Sequence, residues 1–221
     1  MEKALIIGAS GGIGAALGAA LQARGVAVTG LSRRDDGLDV TDEDSVAASL
    51  AGLEPGFDLI LVATGALEIA GAAPEKTIRR VTAQAMADQF ALNCIGPSLV
   101  LKHSLRLLPR DRRAVFAALS ARVGSIGDNA LGGWYSYRTA KAALNQMIHT
   151  GAIELARSHR HALCVALHPG TVATRFTADY AATHDRVEPD QAAANLLGVI
   201  EGLTPAETGG FFDWQGKRVA W

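Results

Sequence analysis

The sequence predicts an α/β fold: a single domain built on a doubly wound parallel sheet of about seven strands with helices on both faces. Short apolar runs alternate with longer helix-compatible segments along the whole chain. Alanine and glycine are abundant, with 24 glycines and only 5% aromatic residues, and such small side chains let helices lie close to a sheet. The 221 residues suffice for one full core, and no linker or repeat divides them, so residues 1–221 are expected to form one domain.

The strands are predicted from apolar runs that end at glycine, proline or polar residues. Asp58–Ala63, with the sequence DLILVA, has the uninterrupted apolar character of a strand that is buried on both faces. In chain order, the predicted strands are Lys3–Ile7, Val26–Leu31, the very short Asp39–Val40, Asp58–Ala63, Ala114–Leu119, Ala162–Leu167 and Gly210–Asp213.

The helices are predicted from capping residues and helical apolar spacing. Asp42 is a typical N-cap, and Gly25 a typical helix terminator. The longest helix has an apolar stripe made of Ala140, Leu144, Met147, Ile148, Ala152 and Leu155. The predicted helices are Gly12–Arg24, Asp42 to about Leu50, Thr82–Leu108 with an interruption at Pro97, a long one that follows Gly132-Gly133 and ends near Ser158, and one that begins at Pro189.

Composition argues against several classes of function. The formal net charge of -1 gives no attraction to nucleic acid. Cys94 and Cys164 lie in apolar runs without metal-type spacing, which predicts two buried thiols and no metal site. No apolar stretch reaches the ~20 residues of a membrane helix, and the first residues lack the pattern of a signal peptide. We therefore expect a soluble cytoplasmic protein with no membrane partner.

A glycine-rich turn follows the first predicted strand. The segment Gly8-Ala9-Ser10-Gly11-Gly12-Ile13-Gly14 joins a strand to a helix N-terminus, where free N–H groups bind phosphate well. The spacing Gly8-x3-Gly12-x-Gly14 differs from the commoner G-x-G-x-x-G, and a tight strand–helix turn is the alternative interpretation. Its position after the first strand favours a nucleotide site that includes Gly8, Ser10, Gly12, Ile13 and Gly14.

A basic residue follows the second predicted strand, where nucleotide-binding folds often select their cofactor. NAD sites usually place an acid there, whereas an arginine accommodates the 2′-phosphate of NADP. Ser32-Arg33 therefore predicts NADP(H) in preference to NAD(H). Asp35 and Asp36 lie slightly farther on and are expected to belong to the turn, and a solvated basic turn is the alternative interpretation of Arg33.

Tyr137 and Lys141 lie four residues apart at the start of the longest predicted helix, so they share one face. An ordinary tyrosine is a poor acid or base at neutral pH. An ammonium about 4 Å away would lower the pKa of the phenol by roughly three units. The pair therefore predicts a general acid/base, Tyr137, tuned by Lys141.

Motifs along the whole chain now converge on one family. The glycine pattern 8/12/14, Asp39-Val40, Asn93, Tyr137-x3-Lys141 and His168-Pro169-Gly170 resemble the short-chain dehydrogenase/reductase superfamily in order and spacing. Residues 124–137 and the ending Gly209-Gly210-Phe211-Phe212-Asp213 are similar to its C-factor and sniffer-like carbonyl reductase branch. The resemblance implies a Rossmann fold and a hydride-transferring oxidoreductase.

The resemblance also implies residue roles. Tyr137 would protonate the carbonyl oxygen, Lys141 would hold the nicotinamide ribose, and Asn93 would support a proton relay. Pro97 gives Asn93 independent support, because a proline has no N–H for the carbonyl four residues earlier. The alternative is that Pro97 only kinks a surface helix. The further cofactor-binding residues implied are Asp39, Val40, Ala63, Gly65, Tyr137, Lys141, Pro169, Gly170, Val172 and Thr174.

Two motifs depart from the family pattern. The usual Ser-Ser pair appears as Ser120-Ala121, so the substrate-orienting serine is expected to be Ser120, with Ser125 as the alternative. The usual Asn-Ala-Gly appears as Ala63-Thr64-Gly65, which keeps the turn but loses the asparagine.

These observations predict an NADP(H)-dependent enzyme that transfers a hydride to or from a small carbonyl or alcohol. The alternative is a non-catalytic NADP(H)-binding sensor on the same fold, and a sugar-nucleotide epimerase is disfavoured by the short chain. Trp134 and Tyr135 are either pocket walls or core residues, and Arg175–Glu188 is the expected lid. The family often pairs through its two long helices, so a homodimer or homotetramer is expected.

Overall fold

A computed structural model of the protein describes residues 1–174 and 186–221. In this part of the chain, six parallel strands form one sheet in the order β2-β1-β3-β4-β5-β6. The strands are β1 Lys3–Ile7, β2 Ala27–Leu31, β3 Leu59–Val62, β4 Ala114–Leu119, β5 Ala162–His168 and β6 Phe211–Asp213. The predicted α/β class, with helices on both faces of a parallel sheet, is confirmed.

The helices alternate with the strands as the apolar pattern predicts. They are α1 Gly12–Ala23, the short α2 Arg33–Asp36, α3 Glu43–Ala51, α4 Ala83–Phe90, α5 Gly96–Ser104, α6 Tyr135–Ser158 and α7 Pro189–Gly202. A π-helical turn, Ala91–Ile95, joins α4 to α5. None of these helices combines the length and the apolar character that crossing a bilayer requires.

Two apolar cores, one on each face, enclose the sheet. Residues of α3, α5 and α6 pack on one face around Phe116 and Phe211. Residues of α1 and α7 pack on the other face around Ile6 and Phe212. The central strand β3 is buried along its whole length, as expected for a parallel sheet covered on both sides. Ligands can therefore reach the sheet only beyond the strand ends.

The prediction of a strand at Asp39–Val40 is wrong, which leaves six strands in the described chain rather than about seven. The Asp39 carboxylate accepts hydrogen bonds from the backbone N–H of Thr41, at 2.9 Å, and from its hydroxyl, at 2.7 Å. These bonds close a local turn in place of a strand ladder. Val40 is buried because its side chain packs against Gly96 of α5.

The helix predicted over Thr82–Leu108 is instead three helical segments and a final 3₁₀ turn, Leu105–Leu107. Its irregular middle lies just before Pro97, whose ring nitrogen cannot donate to the carbonyl of Asn93. A π turn adjusts a helix around such a missing donor. In α6, the apolar stripe is buried as predicted except for Met147, which is 42% exposed.

Candidate active site

The residues predicted to act come together beyond the carboxyl ends of four adjacent strands. The glycine turn follows β1, Ala63-Thr64-Gly65 follows β3, Ser120 follows β4, and Pro169-Gly170 follows β5. Sheets of this kind bind ligands at this edge, at the point where strand order reverses. Here that point lies between β1 and β3.

The glycine turn after β1 is a tight cradle that side chains would fill. Gly8 has a φ of 89°, and its N–H donates to the carbonyl of Leu31 at 2.8 Å. A Cβ on Gly14 would lie 2.2 Å from the carbonyl oxygen of Gly8, and one on Gly12 would lie 2.8 Å from Cγ2 of Thr174. The N-cap of α1, Gly11, has no side-chain cap, so the helix N-terminus is left to a ligand.

The other predicted residues of this turn have supporting positions. Ser10 is half-buried in the turn itself, and Ile13 packs its side chain against the core on the α1 face. Together with the uncapped helix N-terminus, the turn fits the pyrophosphate of a dinucleotide.

The turn after β2 holds both cations and carboxylates. Arg33 is exposed, and no ion pair of it is found in the described parts of the chain, whereas Arg34 pairs with Asp35 at 2.8 Å. Ser32 caps α2, and its N–H donates to the Asp36 carboxylate at 2.8 Å. Asp35 and Asp36 therefore belong to the turn, as predicted. The proximity of Asp36 to Ser32 was not foreseen.

Asn93 is fully buried in the π turn and is held on both sides of its amide. Its Nδ2 donates to the carbonyl of Ala66 at 2.9 Å and to Oε1 of Gln89 at 2.7 Å. Its Oδ1 accepts from the N–H of Ala66 at 3.3 Å. Gln89 in turn donates to the carbonyl of Leu67. The amide thus fastens α4 to the segment that follows Ala63.

Gly65 brings Asn93 and Lys141 together. A Cβ at this position would lie 2.8 Å from Oδ1 of Asn93 and 3.6 Å from Nζ of Lys141. With a φ of 155°, Gly65 passes between the two side chains where a larger residue would collide. The strand end after β3 is therefore part of the same polar cluster as the two predicted side chains.

Lys141 and Tyr137 are buried neighbours on α6. The ammonium nitrogen lies 5.8 Å from the centroid of the Tyr137 ring and donates to the carbonyl of Leu119 at 2.9 Å. Burial lowers the pKa of Lys141 to about 7, an effect that nearby Cys94 partly opposes. Burial also raises the pKa of Tyr137 above its ordinary value.

The expectation that Lys141 lowers the pKa of Tyr137 is therefore wrong for the protein alone. A buried site disfavours both the phenolate and the ammonium, so the phenol keeps its proton. Tyr137 is thus protonated at neutral pH in this state, while the pKa of Lys141 is about 7.

The two candidate serines differ in what their hydroxyls do. Ser120 is buried, and its Oγ donates to Oδ1 of Asn145 at 2.6 Å. Ser125 is also buried, and its Oγ accepts from the N–H of Asp128 at 3.0 Å. The single proton of Ser120 is thus directed at α6. Asn145 was not predicted, although its spacing of four from Lys141 and eight from Tyr137 places it on their helix face.

The segment after β5 closes the far side of the site. Pro169 precedes Gly170, which has a φ of 80° and would bring a Cβ within 2.9 Å of the Trp214 indole. Val172 pairs with Val187 in a parallel bridge, and Thr174 faces Gly12. Of the expected lid, Arg175–Glu188, residues 175–185 lie outside the described residues. The bridge places Val172 and Val187, one on each side of residues 175–185 along the chain, next to each other.

A small cavity lies beside Tyr137. Its volume of about 10 Å³ is about the size of one water, and Glu75, Gln89, Ser136 and Tyr137 are among its lining residues. Trp134 packs edge-to-face on Tyr137, with ring centroids 6.3 Å apart. Trp134 is thus a packing partner of the predicted acid. No motif in the sequence marks Glu75.

Comparison with known proteins decides the family. A family model of the short-chain dehydrogenase type, described as enoyl-(acyl carrier protein) reductase, matches residues 8–211. The chain belongs to the short-chain dehydrogenase/reductase family. This short-chain dehydrogenase/reductase is 32% identical, over the full length of both chains, to 1-hydroxy-2-glutathionyl-2-methyl-3-butene dehydrogenase of Rhodococcus sp. strain AD45.

Solved carbonyl reductases have the same fold. The NADPH-bound carbonyl reductase from chicken fatty liver has a TM-score of 0.84 at 25% identity, over 100% of this chain and 94% of that one. The carbonyl reductase Sniffer of D. melanogaster has a TM-score of 0.82 at 23% identity over the full length of both. The protein is therefore an oxidoreductase of the carbonyl reductase branch, acting on carbonyl or alcohol groups.

Proposed function

We propose that this short-chain dehydrogenase/reductase transfers a hydride between NADP(H) and a small carbonyl or alcohol substrate, with Tyr137 as the general acid/base. The observation that carries the proposal is the polar cluster around Gly65, where Asn93 and Lys141 both lie against one backbone position. Lys141 in turn lies 5.8 Å from the Tyr137 ring. A proton donor is thereby joined to two polar side chains at the ligand-binding edge of the sheet.

The cofactor preference is supported by Arg33 and opposed by one carboxylate. Arg33 is exposed beyond the end of β2, where an arginine accommodates a 2′-phosphate. The carboxylate of Asp36 accepts from the N–H of Ser32 beside it. We propose that the arginine dominates, because its guanidinium is exposed whereas the Asp36 carboxylate is held by the turn.

The bound dinucleotide would supply or accept the hydride, and the side chains would handle the proton. In the reduction direction, Tyr137, which its raised pKa keeps protonated at neutral pH, donates its proton to the substrate oxygen. Lys141, with a pKa of about 7, can return a proton to the site. Asn93 holds its amide between Ala66 and Gln89 and so fixes the strand end beside Lys141.

The substrate-orienting hydroxyl is the part of the proposal that allows two assignments. Ser120 remains our choice, and it would orient a substrate oxygen after its hydroxyl turns away from Asn145. Ser125 is the alternative, because its Oγ accepts from Asp128 and so retains a proton to donate. Ser120→Ala and Ser125→Ala, compared by KM and kcat, separate the two: the variant with the larger loss of kcat identifies the orienting residue.

The direct test of the function is NADPH oxidation with a panel of aldehydes, ketones and quinones. We expect turnover with the wild-type protein and loss of it in Tyr137→Phe, which should still bind NADPH. Binding of NADPH without turnover over the whole panel would contradict the proposal and favour the non-catalytic sensor.

The cofactor preference is tested by a matched pair of variants. Arg33→Ala should weaken NADPH binding and leave NADH binding unchanged, whereas Arg34→Ala, which removes an arginine already paired with Asp35, should alter neither. Titration of cofactor fluorescence measures the six dissociation constants of the wild type and the two variants for NADPH and NADH. Tighter binding of NADH than of NADPH by the wild-type protein would overturn the assignment of Arg33.

We also propose that the enzyme works in the cytoplasm as a homodimer or homotetramer joined through α5 and α6. Two exposed apolar side chains on α6 support the pairing: Met147 is 42% and Ile153 is 54% exposed.

A further inference from the structure

The N-terminus of α6, the helix that carries Tyr137 and Lys141, lacks a cap of its own. Its N-cap residue is Trp134, which makes no side-chain cap bond and has φ and ψ of 53° and 42°. This left-handed conformation is strained for a bulky aromatic residue and persists only where neighbouring groups hold it. The first N–H groups of the helix also need acceptors from elsewhere.

Glu75 supplies these acceptors from 61 residues upstream of Ser136. Its backbone carbonyl accepts from the N–H of Trp134 at 2.6 Å. Its carboxylate accepts from the N–H of Ser136 at 3.1 Å and from the hydroxyl of Ser136. A carboxylate at a helix N-terminus is also favoured by the helix dipole.

The carboxylate of Glu75 is buried, with only 6% of the residue exposed. Burial of a carboxylate is unfavourable unless hydrogen bonds compensate it, and the compensation here comes from the residue directly before Tyr137. Glu75, Ser136 and Tyr137 line the same water-sized cavity. Trp134, which Glu75 also holds, is the edge-to-face partner of the Tyr137 ring.

We propose that Glu75 is a positioning residue for Tyr137: it fixes the left-handed turn at Trp134 and the first turn of α6, and so aims the phenol. The inference rests on the proposed role of Tyr137 as general acid/base. Glu75 itself touches neither substrate nor cofactor in this role. Without the carboxylate, the N–H and hydroxyl of Ser136 lose their acceptor, and the first turn of α6 no longer fixes the backbone that carries the tyrosine ring.

The chain offers a matched control. Glu207 also caps a helical turn, since its carboxylate accepts from the N–H of Thr204 at 2.7 Å, but it lies in the 3₁₀ turn Pro205–Glu207 after α7. Glu207→Ala therefore removes a carboxylate cap outside the active site. It reports what the loss of a cap does to stability alone.

The test compares kcat, KM, NADPH affinity and Tm in both variants. Glu75→Ala should lower kcat about tenfold to a hundredfold, because a small displacement of a reacting group has that effect, while the Kd for NADPH changes less than about twofold. Glu207→Ala should lower Tm and keep the wild-type kcat. Glu75→Gln, which retains an acceptor oxygen for Ser136, should recover most of the lost kcat.

Two results would overturn the proposal. One is a folded Glu75→Ala protein with wild-type kcat, and the other is a Glu75→Gln protein as impaired as Glu75→Ala. If Glu75→Ala does not fold, Ser136→Ala removes the hydroxyl partner alone and should lower kcat without a change in NADPH affinity; an unchanged kcat there also contradicts the proposal. An active Tyr137→Phe variant would instead refute the function on which the inference rests.

Discussion

Lys141 shows how strongly burial governs this active site at the scale of one residue. Its ammonium is enclosed beside Tyr137 and donates to the carbonyl of Leu119. A buried ammonium costs stability, so the folded protein holds its proton less firmly than the unfolded chain does. Function therefore keeps a lysine at a position where an apolar side chain would stabilise the fold.

Because the buried ammonium of Lys141 is unfavourable, the free energy of unfolding should depend on pH. The pKa of Lys141 is about 7 in the fold and 10.5 ordinarily. Between these values the unfolded state binds more protons, so stability rises with pH. Lys141→Met should be more stable than wild type at pH 6, on the order of 2–4 kcal/mol, and the difference should shrink towards pH 10.

Urea unfolding at pH 6, 8 and 10 measures this difference. Lys76→Met, which changes an exposed lysine, is the control and should show no such trend. A stability difference between Lys141→Met and wild type that stays constant from pH 6 to pH 10 would contradict the buried-ammonium explanation.

Two glycines of α1, Gly14 and Gly18, allow a second prediction at the scale of single residues. A Cβ on Gly14 would meet the carbonyl oxygen of Gly8 at 2.2 Å, whereas one on Gly18, in the same helix, has its nearest neighbour, Val28, at 3.9 Å. Gly14→Ala should destabilise the protein by several kcal/mol and abolish NADPH binding, because the backbone must move. Gly18→Ala should be neutral or stabilise it by about 0.5–1 kcal/mol.

Thermal unfolding and cofactor titration of both variants check this contrast. Equal stabilities would mean that the turn tolerates a side chain at position 14, and the tight cradle would then be an incorrect description of the phosphate site.

The sequence predicts those site residues whose chemistry follows from local spacing. Tyr137 and Lys141 are four apart on one helix, and Asn93 precedes Pro97 by four, so each pair is visible along the chain. Glu75 was missed because it acts on residues 61 positions away, through a contact that exists only in the folded state. The pKa of Tyr137 was misjudged for a related reason, since spacing reveals a neighbouring charge but not the depth of burial.

At the scale of elements, the π turn at Ala91–Ile95 is a departure from regular α-helical geometry next to the candidate site. Pro97 withholds the N–H that an α-helix would direct at Asn93. The resulting turn holds the Asn93 amide against Ala66 and Gln89. The π turn thus orients the Asn93 side chain, and the chain continues directly into α5.

Replacement of Pro97 should therefore separate stability from activity. Pro97→Ala restores the donor, so the helix can close regularly and gain about 1 kcal/mol of stability. The regular turn would rotate Asn93 away from its partners, and kcat/KM should fall about tenfold. Calorimetry and steady-state kinetics measure the two effects.

Pro205→Ala is the control for this prediction, because Pro205 opens a 3₁₀ turn, where a missing N–H is harmless. Pro205→Ala should neither raise the stability nor lower kcat/KM. If Pro97→Ala kept full activity, the π turn would have no part in placing Asn93.

The elements themselves were largely predictable, and the failures have physical causes. β3 and β4 are continuous apolar runs, and such a run predicts a strand that is buried on both faces, as both strands are. Asp39–Val40 also looked like a strand, but Asp39 bonds its own neighbour Thr41, and Val40 is buried by a tertiary contact with Gly96. A two-residue sequence of one polar and one apolar residue does not distinguish a short strand from a turn whose apolar residue is buried.

At the scale of the whole molecule, the exposed apolar side chains of α6 predict self-association. Met147→Glu combined with Ile153→Glu should convert the proposed homo-oligomer to monomers, because charges would be buried in the interface. Light scattering after gel filtration measures the mass. Leu131→Glu, at a position 90% exposed outside the two helices, is the control and should keep the wild-type mass.

A wild-type protein that is already monomeric at micromolar concentration would refute this assignment. So would a double variant that keeps the oligomeric mass of the wild type.

The strand order also determines when the protein can begin to fold. Ala4 pairs with Leu59, and Leu59 pairs with Val115, so the centre of the sheet joins segments that are far apart in the chain. A chain emerging from the ribosome can pair β1 with β2 and β3 early, but it cannot pair β3 with β4 until residues 114–119 are free. Proteins dominated by such distant contacts fold slowly, so β3, apolar and paired only with β1, should wait for its second partner until more than half of the chain has been synthesised.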